Sequence, residues 1–466
     1  TVRVANITNS SVTINLGVSV GLDYNDLELP ENGHLLKKIT STGTVKEVIE
    51  DDIMNRLNYE DPEQTFVTGS NPNNYIWYSG KLWRVVSIDT SDNSVKLVTQ
   101  WNISTVNYDN DSSAFAGSYM ESWLNDTTID GFLYNLREPE KFIKMDSKWN
   151  ASQMSDTSKP PSEEEGGTIV EDTVGLLNVY EYNMTGGSNS YLNNSLYWWT
   201  ITANSSSTNY IVSYDGSIGT LGVTIGRGIR PVVNLNPDIK IVAGDGTEDN
   251  PYRLEGDKDT NLEGTLLNTR YSGEYISFGI GENNLYQIVS HETEGLTKIT
   301  SDEPLKENGT IKTVAFGDSV YYSSTNTIGN FLNGEYLTDG EYLTEEQVNM
   351  IEDNTTWYLG AVANGQNYKL AKYTDINMTS LTSNTTIAKV GLLRFGELMA
   401  GQFVEYVSDT YSWTLTPGDI SYYVRIIFSN GYGANFAPWN PYNIRPSINL
   451  KSNVIITDGD GTLQNP

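Results

Sequence analysis

Short runs in which apolar and polar side chains alternate predict a β-rich chain. Three such runs follow closely on one another, at Tyr75–Tyr78, Leu82–Ile88 and Val95–Thr99. The turn-forming residues Ser79-Gly80 and Ser91-Asp92-Asn93 separate them, and turn residues between alternating runs are typical of antiparallel hairpins. The pattern therefore predicts an antiparallel sheet in this part of the chain.

The longest alternating run lies near the start of the chain, over residues 12–22. Its apolar positions are Val12, Ile14, Leu16, Val18, Val20 and Leu22. Small residues on the second face suit a strand that lies against a close neighbour. Two interpretations stay open: a first strand folded onto its own domain, or a strand donated to a neighbouring subunit.

Two short helices are predicted to interrupt the strands. The first covers Ser118–Leu124, with a counterpart at Thr327–Leu332, and the second starts near Val174 and, later in the chain, near Val390. Strands before and after such helices indicate an α+β fold with antiparallel sheet.

A tandem repeat organises most of the chain. The segment Gly228–Leu235 recurs as Asn443–Leu450, and Gly244–Thr247 recurs as Gly459–Thr462, each shifted by 215 positions. Because further motifs recur in the same order with small changes of offset, we expect two homologous domains. The predicted organisation is an N-terminal strand segment over residues 1–29, a first repeat domain over 30–255 and a second over 256–466.

Each copy ends in a Gly-Asp-Gly-Thr segment that is predicted to be a hairpin turn. In the first copy it separates the runs Asp238–Val242 and Pro251–Leu254, whereas the second copy stops at Pro466, so a strand's worth of chain is expected to be missing there. The turn carboxylates also make calcium binding an alternative to a plain turn. These carboxylates are Asp245, Asp249, Asp458 and Asp460.

Charge and composition exclude several classes of protein. The 466 residues include 29 Lys+Arg and 59 Asp+Glu, for a net charge of −30, which repels the phosphates of nucleic acid. No apolar run is long enough for a transmembrane segment. The absence of Cys excludes disulfides and thiolate metal sites. Because Thr1 is not Met, we expect a processed product or a fragment.

No catalytic constellation is evident. The two histidines, His34 and His291, lie far apart in sequence and neither sits beside a nucleophile motif. We therefore expect a protein that is not an enzyme and that needs no cofactor, with calcium as the remaining possibility.

Four recurring motifs resemble an uncharacterised repeat-domain family of secreted and surface proteins of Gram-positive bacteria. The first copy carries them as Trp123-Leu124-Asn125, Leu176-Leu177 with Glu181, Trp198-Trp199 and Arg230-Pro231. The second copy has Phe331 and Ser412-Trp413 in the first and third motifs. The resemblance implies a compact α+β domain, distantly similar to C-type-lectin-like and sulfatase-modifying folds, without an agreed activity.

The Arg-Pro pair has a structural interpretation beside a ligand-binding one. An arginine next to buried tryptophan can stack on the ring and donate to carbonyl oxygens or to the helix glutamate. We therefore expect Arg230 to be part of the core.

Thirteen Asn-x-Ser/Thr sequons permit glycosylation at the surface of a secreted protein. They are Asn6, Asn9, Asn102, Asn110, Asn125, Asn150, Asn183, Asn193, Asn204, Asn308, Asn354, Asn377 and Asn384.

These observations predict an extracellular structural protein of the bacterial cell surface that polymerises with itself into a filament or pilus-like appendage. The alternative is an adhesin that binds surface glycans or a host-matrix ligand through the exposed aromatic residues Tyr432, Trp439 and Tyr442. An extracellular fibre without cysteine needs another source of stability. Packing, calcium, strand exchange and a covalent Lys–Asn bond are all open, and the sequence locates no such bond.

Overall fold

The computed structural model describes most of the chain after residue 63. The described ranges are 64–89, 91–128, 131–159, 169–255, 261–359, 384–395, 397, 411–418, 422–429 and 432–466. The predicted strand over residues 12–22 and His34 lie outside them, as do the sequons at Asn6, Asn9 and Asn377.

Short strands dominate the first half of the described chain, residues 64–255. They are β1 (Gln64–Phe66), β2 (Tyr75–Tyr78), β3 (Lys81–Asp89), β4 (Val95–Thr99), β5 (Ser104–Val106), β6 (Ser147–Asn150), β7 (Ile169–Asp172), β8 (Val174–Gly175), β9 (Trp198–Ser205), β10 (Thr208–Val212), β11 (Ile218–Gly222), β12 (Arg227–Ile229), β13 (Val232–Leu235), β14 (Ile241–Ala243) and β15 (Tyr252–Leu254).

These strands form two main sheets. The larger has the order β14-β15-β2-β3-β4-β13-β8, with β1 beside β3, and the smaller has the order β11-β10-β9-β12-β5. Most neighbours are antiparallel, but β15 runs parallel to β2 and β12 runs parallel to β9. The predicted antiparallel hairpins of β2, β3 and β4 are confirmed.

The second half, residues 261–466, is built in the same way. Its strands are β16 (Tyr275–Ser277), β17 (Leu285–Ser290), β18 (Thr297–Ser301), β19 (Lys306–Glu307), β20 (Thr310–Ile311), β21 (Thr313–Ala315), β22 (Thr355–Tyr358), β23 (Thr385–Ala388), β24 (Val390–Gly391), β25 (Tyr411–Pro417), β26 (Val424–Phe428), β27 (Gly433–Phe436), β28 (Pro441–Asn443) and β29 (Ser447–Leu450).

The sheets of the two halves have matching strand orders. The order β16-β17-β18-β29-β24 repeats β2-β3-β4-β13-β8, and β27-β26-β25-β28-β21 repeats β11-β10-β9-β12-β5. The hairpin of β22 and β23 likewise corresponds to that of β6 and β7. The strand β15, which flanks β2, has no counterpart beside β16 among the described residues.

The helices are few and short. They comprise the α-helices Tyr119–Leu124, Pro139–Phe142, Val179–Met184, Thr327–Asn330, Tyr336–Thr338 and Glu345–Met350, the 3-10 turns Leu133–Asn135, Gly187–Asn189, Leu267–Thr269 and Gly281–Asn283, and the π-turn Phe331–Glu335. The first predicted helix is confirmed in both halves, with Ser118 and Asn326 as N-caps. None of the helices in the described ranges has the length and apolar character required to cross a bilayer.

The predicted start of the second helix was wrong. Val174 and Val390 lie in the strands β8 and β24, which pair with β13 and β29. In the first half the helix begins only at Val179, because the side chain of Asn178 accepts the backbone N–H of Glu181 and caps its first turn. In the second half, the residues after 397 lie outside the described ranges.

Each half has its own aromatic core. Trp83, Trp123, Trp198 and Trp199 lie in the first, and Trp413 lies in the second. The interpretation of the Arg-Pro pair is confirmed, because the guanidinium of Arg230 lies 4.9 Å from the Trp198 ring and donates to the carbonyl oxygens of Thr99 and Leu192.

Smaller clusters join the two halves. Leu196 from the first half packs with residues of the second, among them Phe395 and Ile427. The buried ammonium of Lys81 donates to the carbonyl oxygen of Ser272 at 2.7 Å. The halves therefore share buried contacts.

Candidate functional site

A buried lysine on a central strand of the main sheet marks the same place in each half. Lys96 on β4 is 9% exposed, and Lys298 on β18 is 2% exposed. Lysine is seldom buried, because its ammonium group loses hydration unless a partner replaces it. Both lysines have charged partners that replace the lost hydration. We call each buried lysine with its neighbouring side chains a centre, and the two centres together are the candidate site.

In the first half, the partner of Lys96 is a glutamate from the second helix. Glu181 forms a salt bridge with the Lys96 ammonium and is itself buried. Its position is fixed by a capping box, in which Glu181 Oε2 accepts the backbone N–H of Asn178 at 3.0 Å. The local sequence Asn-x-x-Glu thus holds the Glu181 carboxylate next to Lys96 on the sheet.

In the second half, the same glutamate position carries Glu397, which forms a salt bridge with Lys298. A second carboxylate, Glu292, contacts Lys298 as well, and Arg394 bridges Glu292 at 2.8 Å and Glu397 at 3.2 Å. Burial opposes ionisation of Glu292, but Arg394 and Lys298 hold the pKa of its carboxyl well below its usual range. Two cations and two anions therefore share this centre.

An asparagine lies directly opposite each lysine on the neighbouring strand. Asn234 of β13 pairs in register with Lys96, and Asn449 of β29 pairs with Lys298. Residues directly opposite in an antiparallel pair project from the same face of the sheet, with Cβ atoms about 4.5–5.5 Å apart. Each centre thus combines a lysine, a glutamate and an asparagine.

The amide of Asn449 is unusual within its centre. The residue is 1% exposed, and its Nδ2 has no hydrogen-bond partner among the described residues. A buried amide N–H without a partner costs about 1–3 kcal/mol. Other buried side-chain polar atoms in the described residues also have no partner, among them Nδ2 of Asn443.

A tryptophan covers each lysine. The Lys96 ammonium lies 5.4 Å from the centre of the Trp149 ring, and Lys298 lies 5.4 Å from that of Trp357. Both rings also lie against a glycine, because a Cβ at Gly175 or Gly391 would come within 2.4 Å or 2.6 Å of the indole. The glycine in Val-Gly therefore makes room for the aromatic cover.

Solvent reaches the first centre through a polar cavity of about 570 Å³. Lys96, Asn234, Lys144, Asp146 and Lys148 are among the residues that line it. Lys144 is only partly buried, and it forms a salt bridge with Asp92 at 2.6 Å.

The sequence prediction missed both lysines and both tryptophans. It included Glu181 only as a residue of one recurring motif, and Asn234 and Asn449 only as the penultimate residues of the recurring segments Gly228–Leu235 and Asn443–Leu450. The available signal was recurrence, because Val-Lys-Leu in β4 matches Thr-Lys-Ile in β18. In addition, Trp149 and Trp357 are each the third residue of a four-residue strand in equivalent hairpins.

The aromatic residues predicted to contact a ligand differ in exposure. Trp439 is 63% exposed. The Tyr442 ring packs 5.1 Å from Trp413, and the Tyr432 ring lies 4.6 Å from the guanidinium of Arg227 in the other half. Of the three, Trp439 is exposed, whereas Tyr432 and Tyr442 are partly buried.

The sequons also differ in exposure. Asn308 and Asn354 are exposed. Asn102 is fully buried and donates to the Tyr197 carbonyl oxygen, so it lacks the surface position that a glycan needs. Asn125 uses its side-chain amide to bond both the N–H and the C=O of Val174. The partly exposed sequons are Asn110, Asn150, Asn183, Asn193, Asn204 and Asn384.

The Asp-Gly turns have the geometry of plain turns. Asp245 Oδ1 accepts from the backbone N–H and hydroxyl of Thr247, and Asp460 Oδ1 accepts in the same way from Thr462. The described part of the chain contains no group of three or more Asp, Glu or His side chains arranged to hold a metal ion. That the protein needs no cofactor stays a prediction.

His291 follows β17, and its ring nitrogens lie 2.6 Å from the Arg270 carbonyl oxygen and 3.3 Å from that of Leu296. Backbone oxygens thus surround this histidine. That the protein is not an enzyme stays a prediction.

No protein family, curated protein or solved structure matches this chain. The resemblance to a surface-protein repeat family therefore stays a prediction, and the function has to be argued from the residues themselves.

Proposed function

We propose that this chain is an extracellular structural subunit of a bacterial surface filament or appendage. In this proposal it consists of two tandem homologous domains, residues 30–255 and 256–466, and it assembles with copies of itself by β-strand addition. The matching strand orders of the two halves support the division into homologous domains. The strongest support for strand addition is the outer edge of β16.

The two halves differ at this edge. In the first half the N–H of Tyr75 donates to the Gly246 carbonyl oxygen at 2.9 Å, and β15 then continues along β2. In the second half the N–H of Tyr275 donates to the Gly461 carbonyl oxygen at the same distance. Beyond that bond, none of the described strands pairs with the outer edge of β16.

The side chains beside this edge show a matching difference in burial. In the first half, Ile239 and Ile241 are 2% and 3% exposed, and β15 pairs with β14, which contains Ile241. Their counterparts Val454 and Ile456 are only partly buried. A strand added beside β16 would cover this apolar surface, and a strand edge is a known template for pairing. At the repeat offset of 215 the counterpart of β15 falls after Pro466, so that a continuation of the same chain and a second copy are alternative sources of the added strand.

We assign residues 12–22 of a second copy as the occupant. This segment alternates apolar and small residues over a length sufficient to cover the edge, and strand addition uses alternate side chains for specificity. The proposal does not depend on disulfides, which the composition excludes.

Electron microscopy of the purified protein in negative stain tests assembly directly. We expect long, regular polymers that disappear when residues 1–25 are deleted. Dispersed monomers of the full chain would contradict the proposal.

Cysteine cross-linking tests the edge itself, because the chain has no cysteine of its own. In a strand, N–H groups alternate sides, so Ser277 presents its backbone to the same side as Tyr275. We expect Ser277→Cys, combined with single cysteines scanned across residues 12–22, to give disulfide-linked multimers. The matched control is Thr220→Cys, at an exposed position of the edge strand β11, which should give none. An internal disulfide within one monomer would show instead that the strand pairs with the second half of its own chain.

The exposure of Trp439 favours an adhesin as the second candidate function. An indole that is 63% exposed can stack on a sugar ring. A glycan array with the full chain and with Trp439→Ala tests this, and glycan binding that the substitution abolishes would support it. Binding by a protein that stays monomeric would favour the adhesin over the filament subunit.

A further inference from the structure

We propose that the two buried centres form intramolecular amide bonds, one between Lys96 and Asn234 and one between Lys298 and Asn449. Glu181 and Glu397 act as the proton-transferring groups. This inference concerns modification of the single chain and does not depend on polymer assembly.

The register of the sheet brings the reacting groups to one face. Lys96 and Asn234 are direct partners across β4 and β13, and Lys298 and Asn449 are direct partners across β18 and β29. The same pair of residue types thus recurs at the same point of two sheets with the same strand order. An ordinary ion pair explains the glutamate but gives no reason for the asparagine.

The carboxylate contact supplies the means to activate the amine. An ammonium group is not a nucleophile, so it must first lose a proton to a base within hydrogen-bond reach. Glu181 contacts the Lys96 ammonium, and Glu397 contacts that of Lys298. In the second half Arg394 stays paired with Glu292, so proton transfer from Lys298 to Glu397 leaves no uncompensated charge.

The two centres differ in their access to solvent. A tryptophan ring lies over each lysine. The polar cavity of about 570 Å³ brings solvent to Lys96 and Asn234, whereas Lys298 and Asn449 are only 2% and 1% exposed.

The reaction balances without any further reactant. The lysine Nζ transfers a proton to the glutamate and attacks the asparagine Cγ, whose oxygen the protonated carboxyl polarises. A new Nζ–Cγ bond forms, and the Cγ–Nδ2 bond breaks. The glutamate returns the proton and the amine N–H moves to the leaving nitrogen, so that a lysine ammonium and an asparagine amide become a secondary amide and an ammonium ion.

This reaction also accounts for the unpartnered amide of Asn449. Its Nδ2 is buried without a hydrogen-bond partner among the described residues. In the reaction that nitrogen is the atom that leaves, so the buried donors are removed from the protein.

Mass spectrometry of the intact, full-length protein tests the proposal. Each bond releases one ammonia, so we expect a mass about 34 Da below that of the sequence, about 17 Da for each bond. Protease digestion should give two branched peptides, one joining Lys96 to Asn234 and the other joining Lys298 to Asn449. A succinimide also loses ammonia, but it joins no peptides.

Substitution of each glutamate tests whether it transfers protons in the reaction of its own half. Glu181→Gln should restore about 17 Da and remove only the first branched peptide, and Glu397→Gln should do the same for the second. Lys144→Arg, at a partly buried lysine that lines the same cavity as Lys96, is the matched control and should leave the deficit unchanged.

The mass of the wild-type protein shows whether the amide bonds form, and this measurement does not depend on the folding of any variant. A full sequence mass with no branched peptide would overturn the proposal. A deficit of a single ammonia would overturn it for the half whose peptides stay separate.

Discussion

Alanine at Gly175 tests whether the tryptophan cover over Lys96 is packed as tightly as the structure indicates. An added Cβ would lie 2.4, 2.7 and 2.8 Å from three atoms of the Trp149 indole. Carbon atoms pack at about 3.5–4.0 Å, so the ring has to retreat by about 1 Å. Trp149 is 2% exposed, which leaves little room for that movement.

The expected loss of stability combines three contributions. Overpacking of a core costs about 1–3 kcal/mol. Displacement of the ring also strains the hydrogen bond from Trp149 Nε1 to the Asp172 carbonyl oxygen, now 2.9 Å long, which is worth about 0.5–1.5 kcal/mol. Alanine also lowers the entropy of the unfolded chain, which stabilises the folded state by about 0.4–1 kcal/mol. We therefore expect Gly175→Ala to lower the free energy of unfolding by roughly 2 kcal/mol, within a range of about 0.5–4 kcal/mol.

Urea unfolding followed by far-UV circular dichroism measures this difference, provided that the m-value is unchanged. Gly222→Ala is the matched control, because a Cβ there meets nothing within 4 Å. The double variant Gly175→Ala/Trp149→Phe should recover part of the loss relative to the sum of the single variants. A loss below about 0.5 kcal/mol for Gly175→Ala, or no coupling to Trp149, would refute the reasoning.

Three further substitutions probe other parts of the structure. Burial raises the pKa of Asp302 to about 6 against the opposing effect of Arg445, and its Oδ1 has no partner among the described residues. A raised folded-state pKa favours folding below the unfolded pKa, and that advantage is lost as pH rises through about 6. Asp302→Asn should therefore be roughly 1–3 kcal/mol more stable than wild type at pH 7 and about equal at pH 4, as a pH series of urea titrations will show. Asn125→Ala removes both side-chain hydrogen bonds to Val174 and should cost about 1–3 kcal/mol in the same assay, whereas the exposed control Asn354→Ala should change stability by less than about 0.5 kcal/mol. Leu196→Ala, at the junction of the halves, should cost about 2–5 kcal/mol and broaden or split the transition in calorimetry; an unchanged single transition would contradict coupling through this cluster.

Local patterns predicted the first sheet well. The bounds of β2 and β4 follow from alternation and turn residues, because both are decided by side chains close in sequence. The same reasoning misassigned Val174–Gly175. A short apolar run reads equally as strand or helix, and its pairing with Val232 and Val233 is a long-range contact that no local pattern contains.

The candidate site was less predictable for the same reason. In an alternating run, Lys96 reads as a residue that faces solvent. Its burial depends on Trp149 and Glu181, which come from later segments of the chain. The evidence for the site in the sequence was that Lys, Glu and Asn recur at equivalent positions of both repeats. The structure brings these three positions together in each half.

The parallel pairing of β15 with β2 has a mechanical consequence. These two strands lie near the end and near the start of the first half, and they run in the same direction. Pulling the ends of this segment apart draws β2 and β15 past each other lengthwise. Every hydrogen bond between them then bears load at once, in shear, instead of opening one after another as in a peeled hairpin. A subunit that transmits tension along its chain therefore gains its resistance to extension at this strand pair.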